Sequence, residues 1–404
     1  MVGSETEAWL EAHRGDLLEL VRGLIAYPSE NRPPRGDEGP CQEFVGDYLY
    51  ELDLEPDIFR PDEVPGAVDH PSWWPGRSYA DRPNVAARLP GRGGGRSLLF
   101  SGHVDVVPAL GPSAHGYWDG NLENGRLYGR GALDMKGGVA CYLHAMRCLI
   151  ECGVPLAGDV IVETTVDEEF GGANGTLACR LRGYHADGAV LAEPTGLAAC
   201  HATRGGIQYR LHARGAKGGM DFGTGAGPNP LHAVARASVA LADAERRRGV
   251  PIYQYLLRSG DELPWGTEEG NPTAGMLEFW AEILPGTSRE ELELELVQAV
   301  GAATHGADLE WEQRTRFLPA VDADPHAPIV AAMRSALGQP GAPPATAPFA
   351  CDAFVFSEHS NTPVVVCGPG GDNPHAPDEY VLVHDLHTLT SAYVQLALDW
   401  CGVA

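Results

Sequence analysis

The sequence predicts an α/β protein with a mixed, largely parallel sheet, into which a smaller α+β unit is inserted. Three observations lead there. Short apolar runs such as "GDVIVETTV" (158–166) and "GAVLAEP" (188–194) alternate with amphipathic stretches, the pattern of buried strands joined by crossover helices. From residue 205 to 318 the style changes to strands that alternate apolar and polar residues, as half-exposed strands do. From residue 319 the first style resumes. The organisation expected is one discontinuous domain, residues 1–204 and 319–404, and an inserted domain, residues 205–318.

The elements follow in order. Residues 5–26 place Trp9, Leu10, Leu17, Leu18, Val21 and Ile25 on one stripe and predict one amphipathic helix. "GPCQEFVGDYLYEL" predicts a second. Residues 61–83, rich in Pro, Gly, Asp and Trp, predict a long loop. "NVAARLPG" and "SLLFSGHVDVVP" predict two strands around the turn "GRGGGR", and "KGGVACYLHAMRCLIECG" a helix entered at a glycine pair. In the inserted unit, "GGIQYRLHARG", "GMLEFWAEILPG" and "ADLEWEQRTRF" predict three strands. "NPLHAVARASVALADAERRR" and "TSREELELELVQAVGAA" predict two helices, the second capped by Ser288. Beyond it come a helix ("APIVAAMRSAL"), a strand and loop ("TPVVVCGPGG") and a final helix ("LHTLTSAYVQLALDWCG").

Charge narrows the function. A formal net charge of −26 repels phosphate backbones and anionic lipid, so neither nucleic acid nor a membrane is an expected partner. No apolar run reaches the ~18 residues of a membrane span, and the charged, amphipathic start is unlike a signal peptide. Nine cysteines, an odd number without a CxxC pair, predict free thiols and a cytoplasmic protein rather than a disulfide framework or a thiolate metal site.

The chemistry sits at predicted strand ends. "SGHVDVVP" puts His103 and Asp105 two apart, on the same side of a strand, where an Asp can orient a neighbouring imidazole. Asp134 lies in a glycine-rich loop before a helix and, taken alone, reads as a cap. "TVDEEFGG" sets Asp167, Glu168 and Glu169 side by side after a buried run, an arrangement whose mutual repulsion needs a reason. Glu193 ends another strand, stopped by Pro194, and His375 lies in a Gly/Pro-rich loop after "PVVVC". Loops beyond the carboxyl ends of strands form the ligand sites of open α/β sheets. Convergent oxygen and nitrogen donors without cysteine suit zinc or a similar divalent ion, whose charge offsets the repulsion of adjacent carboxylates.

The segments "SGHVDVVP", "LYGRGALDMKGG", "TVDEEFGG", "LAEPTG" and "GPGGDNPHAPDEYV" together resemble the metal-dependent amidohydrolases and peptidases of the M20 family, in the family's order and over residues 5 to 400. That group includes acetylornithine deacetylase, succinyl-diaminopimelate desuccinylase, glutamate carboxypeptidase and related dipeptidases. The resemblance implies a zinc-peptidase-like catalytic domain with an inserted lid domain that often dimerises, and an enzyme that cleaves an N-acyl or peptide-like amide of a small substrate. It implies two zinc ions, with cobalt or manganese as substitutes. His103 and Glu193 would sit with one ion, Glu169 and His375 with the other, and Asp134 would bridge them. Glu168 would be the general base, Asp105 the support of His103, and Asp167 structural. The Asp134–Met135 peptide would be cis.

The sequence departs from that pattern in the inserted unit. The family commonly has a histidine where Gly219 stands in "GAKGG", and an arginine near the substrate carboxylate where Glu282 stands in "EFWAEILPG". Arg204 in "TRGG" matches. His201, His212 or His232 is an alternative for the absent histidine, the metals and main chain another, and a changed chemistry a third. A diverged scaffold that only binds, or catalyses a non-hydrolytic step, is the alternative function. The expected preference is for a substrate with a neutral or cationic end, unless Glu282 faces solvent and touches nothing.

Overall fold

The computed structural model describes residues 2–214, 229–259, 274–304 and 307–404. The chain divides into two compact units. One comprises Met1–Ala202, Val321–Ala347 and Cys351–Ala404; the other comprises Thr203–Ala320 and Pro348–Ala350.

In the first unit the strands lie in the order Val321–Asp322, Cys200–Thr203, Val364–Val366, Gly188–Leu191, Leu98–His103, Val160–Thr165, Asn84–Leu89 and Asp57–Phe59. Ala345–Ala347 also pairs with Cys200–Thr203. The four middle strands, from Val364–Val366 to Val160–Thr165, are mutually parallel. Their carboxyl ends therefore open at one edge. Leu98, Leu99, Phe100, Ile161, Val162 and Val190 are fully buried, as continuous apolar strands covered on both faces must be. Among the covering helices, Lys136–Glu151 is buried along nearly its whole length. Gly138 explains its close approach to the sheet, because a Cβ there would stand 2.1 Å from the carbonyl oxygen of Ala192. That contact seats the helix against the strand end that leads to Glu193.

Two expectations about this unit need correction. Residues 5–26 are not one helix: Val2–Ala12 and Arg14–Ile25 are separate, with His13 between them at φ −109° and ψ 21°. Nor do the strands flanking "GRGGGR" lie side by side, since Val160–Thr165 comes between them. The loop instead packs on residues 156–158, with Arg92 and Gly93 donating to the Leu156 and Ala157 carbonyls at 2.9 and 2.8 Å. A Cβ on Gly95 would meet the Cys401 oxygen at 2.0 Å, so only glycine permits this approach.

The second unit holds a four-stranded sheet in the order Ile252–Ser259, Ala274–Ile283, Gly205–Arg214 and Asp308–Gln313, antiparallel throughout. Its core joins Ile207, Leu211, Leu277 and Phe279 to Val234 and Leu241 of helix Pro230–Arg248 and Leu292 and Leu296 of helix Arg289–Thr304. Asn229 caps the first helix by accepting from the Leu231 and His232 amides. Ser288 and Glu291 form a reciprocal capping box on the second. Among the described residues the sheet has four strands rather than the expected three. Ile252–Ser259 was hidden because a bulge between Gln254 and Leu256 breaks its alternation.

Candidate metal centre

The parallel strands deliver the acidic residues. His103 ends its strand in register with Thr165, and two residues beyond Thr165 the chain turns at Asp167, which adopts φ +67°. This left-handed turn sends Asp167 inward and lets Glu168 and Glu169 face the opening. Asp167 is fully buried, accepting from Tyr79 Oη at 2.6 Å and Asn31 Nδ2 at 3.1 Å, with Arg77 and Arg82 each 3.6 Å away. The three adjacent acids thus point two ways, and the inward one is matched by donors and cations.

The remaining side chains converge. His103 Nε2 lies 3.3 Å from Asp134 Oδ1 and 3.7 Å from both Glu168 Oε2 and Glu193 Oε1. His375 Nε2 lies 3.1 Å from Asp134 Oδ2 and 2.8 Å from Glu169 Oε2. The two oxygens of Asp134 therefore face two different imidazoles. Two overlapping donor sets, His103 with Glu168 and Glu193, and His103 with Asp134 and Glu169, each keep their ligand atoms within 4.8 Å of one another. His103 is 2% exposed and its Nε2 has no hydrogen-bond partner among the described residues. Four carboxylates around two imidazoles, with an orphaned buried nitrogen aimed at them, fit a cationic metal centre.

Protonation follows the same logic. Burial alone would lower the pKa of His103, but the Asp134 carboxylate beside it and the charges of Glu168 and Glu193 outweigh burial and hold it well above its usual value. Burial opposes ionisation of Asp134, yet the two imidazoles hold its carboxyl far below the normal range. Glu168 and Glu193 are pushed well above theirs, chiefly by burial, and Glu169 is raised for the same reason.

Several supports were not legible in the sequence. The Asp105 carboxylate does not hydrogen-bond His103; the Asp105 carbonyl does, at 2.9 Å from Nδ1. The carboxylate instead accepts from the Glu168 and Glu169 amides at 3.0 Å and from Asn31 Nδ2 at 2.9 Å. Asn31 thus bridges two buried acids, Asp105 and Asp167. Asp134 is not a helix cap, whereas the Asp134–Met135 peptide is cis, as the resemblance implies. Lys136, fully buried, donates to the Leu24 and Tyr27 carbonyls at 2.9 and 2.8 Å and so ties the end of helix Arg14–Ile25 to the Asp134 loop. Asp352, buried before helix Ala353–His359, accepts from Thr176 at 2.5 Å and adds negative charge near Glu168 and Glu193.

In the second unit, Arg204 Nη1 donates to Glu282 Oε2 at 2.7 Å and to the Pro348 carbonyl at 3.3 Å. Glu282 is 4% exposed, so the picture of a solvent-facing side chain that touches nothing does not hold. His212 is engaged by Glu312 at 2.9 Å. Gly219 lies outside the described residues.

A mixed α/β sheet with four carboxylates and two imidazoles gathered at its carboxyl edge offers the donor set that metal-dependent hydrolases use. Comparison with known proteins places the chain among them. Residues 99–399 match the model of peptidase family M20/M25/M40, and the chain belongs to that family. It is 26% identical to the N-formyl-4-amino-5-aminomethyl-2-methylpyrimidine deformylase of Bacillus subtilis, over 97% of this chain and 96% of that one. It is 31% identical to the succinyl-diaminopimelate desuccinylase of Methylobacterium radiotolerans, over 93% and 94%. The crystal structure of human carnosine dipeptidase 1 shares the fold at a TM-score of 0.77, with 15% identity and 99% of each chain covered. The protein is accordingly an enzyme, a metal-dependent amidohydrolase. The alternative of a scaffold that only binds finds no support in these comparisons. No helix among the described residues is long and apolar enough to cross a membrane.

Proposed function

We propose that this enzyme hydrolyses the N-acyl amide of a small amine whose far end is neutral or cationic, with two zinc ions as cofactor and cobalt or manganese as substitutes. His103 and Glu193 would hold one ion, Glu169 and His375 the other, and Asp134 would bridge them. Such a pair, when bound, would acidify a water and polarise the scissile carbonyl.

The chain's own residues do the rest. Glu168, whose burial and acidic neighbours favour uptake of a proton, takes one from the attacking water and returns it to the leaving amine. Asp105 supports this by fixing the Glu168 and Glu169 amides. The stretch 205–318 would serve as a lid that excludes water on closing, and as a dimerisation surface. In favour of the latter, Tyr253 and Tyr255 are exposed on an edge strand. Nine free cysteines, eight of them buried, favour the cytoplasm.

The observation that carries the substrate class is the Arg204–Glu282 pair. The resemblance implies that relatives commonly carry an arginine at the Glu282 position, near a substrate carboxylate. A glutamate there reverses that charge and also occupies the guanidinium of Arg204. The Bacillus subtilis relative is named for a formylated aminomethylpyrimidine, a name without an acid, whereas the desuccinylase is named for an acidic substrate. The test compares N-formyl and N-acetyl arylmethylamines with matched amides bearing a carboxylate. Faster turnover of the amine series is expected; a preference for the carboxylates overturns the substrate reading.

A further inference from the structure

We propose that Glu379 is a positioning residue that locks the Asp134 loop and the His375 loop into one frame, and thereby sets the affinity of the centre for divalent metal. This rests on the reading of Asp134 and His375 as ligands. Glu379 is 2% exposed, and donors converge on both oxygens of its carboxylate. Oε1 accepts from the Leu133 amide at 3.0 Å and the Asp134 amide at 3.1 Å. Oε2 accepts from Arg130 Nη1 at 2.6 Å. Arg130, also 2% exposed, reaches the Ala376 carbonyl at 3.3 Å, and the Glu379 carbonyl accepts from the Gly129 amide at 2.9 Å. Residues 129–134 and 376–379 are thus bound to each other at five points.

Two features make the carboxylate, rather than any polar residue, necessary. Every group that meets it is a donor, so a neutral amide of the same shape would turn its own N–H groups against them. Bonds to an ionised acceptor are also shorter and stronger than neutral ones. The consequence falls on the spacing of Asp134 and His375, because His375 has φ +62° and takes its place from its loop rather than from a strand. Its Nε2 stands 3.1 Å from Asp134 Oδ2 only while the loops stay in register. Glu379 touches neither side chain and acts on both through the backbone.

The experiment uses Glu379→Gln, Glu379→Asp and, as a comparator, Glu163→Gln, which breaks another fully buried carboxylate–guanidinium pair, Glu163 with Arg180. Zinc affinity is measured on the metal-free proteins by competition with a chromophoric chelator, alongside their melting temperatures. Glu379→Gln should bind zinc ~10–100-fold more weakly, the usual effect of removing a partner that orients ligands. Glu379→Asp should recover part of that loss, and Glu163→Gln should bind as wild type although destabilised. Wild-type affinity in Glu379→Gln, or an equal loss in Glu163→Gln, would overturn the role of Glu379. A wild-type protein that takes up no zinc would overturn the metal reading itself.

Discussion

Arg204 gives its guanidinium to Glu282 across 2.7 Å, and the carboxylate that receives it is buried. Burial raises the pKa of Glu282, and Arg204 opposes that rise. The pair lies within the second unit, where Arg248 Nη2 also donates to the Glu282 carbonyl at 2.6 Å. A cation committed in this way is not available to an acidic substrate.

Glu282→Ala should release Arg204. The ratio of kcat/KM for a carboxylate-bearing amide to that for its neutral analogue should rise by about tenfold, or ~1.4 kcal/mol. Steady-state kinetics on the matched pair checks this, and an unchanged ratio would show that the pair plays no part in selectivity.

Glu168→Ala should keep its metal and its fold while kcat falls ~10²–10⁴-fold, the usual contribution of a positioned base. Metal analysis and turnover on the same preparation separate the outcomes. Loss of an ion would exchange the roles of Glu168 and Glu169, and surviving turnover would remove the base mechanism altogether.

A separate stability effect is expected at His144, on helix Lys136–Glu151. Its ring is 1% exposed and neither nitrogen has a hydrogen-bond partner among the described residues. Burial first, then the charge of Arg147, lowers its pKa from 6.5 to about 4. The fold favours the neutral ring, so the unfolded chain binds the proton first. Its contribution is complete above pH 6.5 and is lost as pH falls towards 4, a change on the order of 3 kcal/mol. Melting curves between pH 7 and 4 should fall less steeply for His144→Leu than for wild type. Equal slopes would mean that the ring is protonated in the fold.

Much of this architecture was legible because the chemistry sits where strands end. His103, Glu168 and Glu193 each follow an apolar run, and parallel pairing of those runs brings their ends to one edge. Pairing order was not legible, since nothing in "NVAARLPG" or "SLLFSGHVDVVP" announces that Val160–Thr165 will lie between them. The supporting residues were hidden for a different reason. Asn31, Lys136 and Glu379 act through hydrogen bonds to partners such as Asp105, Leu24 and Arg130, which lie 74, 112 and 249 residues away and which no local pattern encodes. Glu282 read as a bare charge reversal because its partner, Arg204, is 78 residues distant.

Five converging side chains, His103, Asp134, Glu169, Glu193 and His375, would make a two-metal centre, with Glu168 beside them as the base. It is tested most directly by counting ions. The protein is stripped with a chelator, reconstituted with zinc, freed of excess and analysed for metal per chain. Two equivalents are predicted, falling in His103→Ala and His375→Ala. One equivalent or less in the wild-type protein would rule out a two-metal centre.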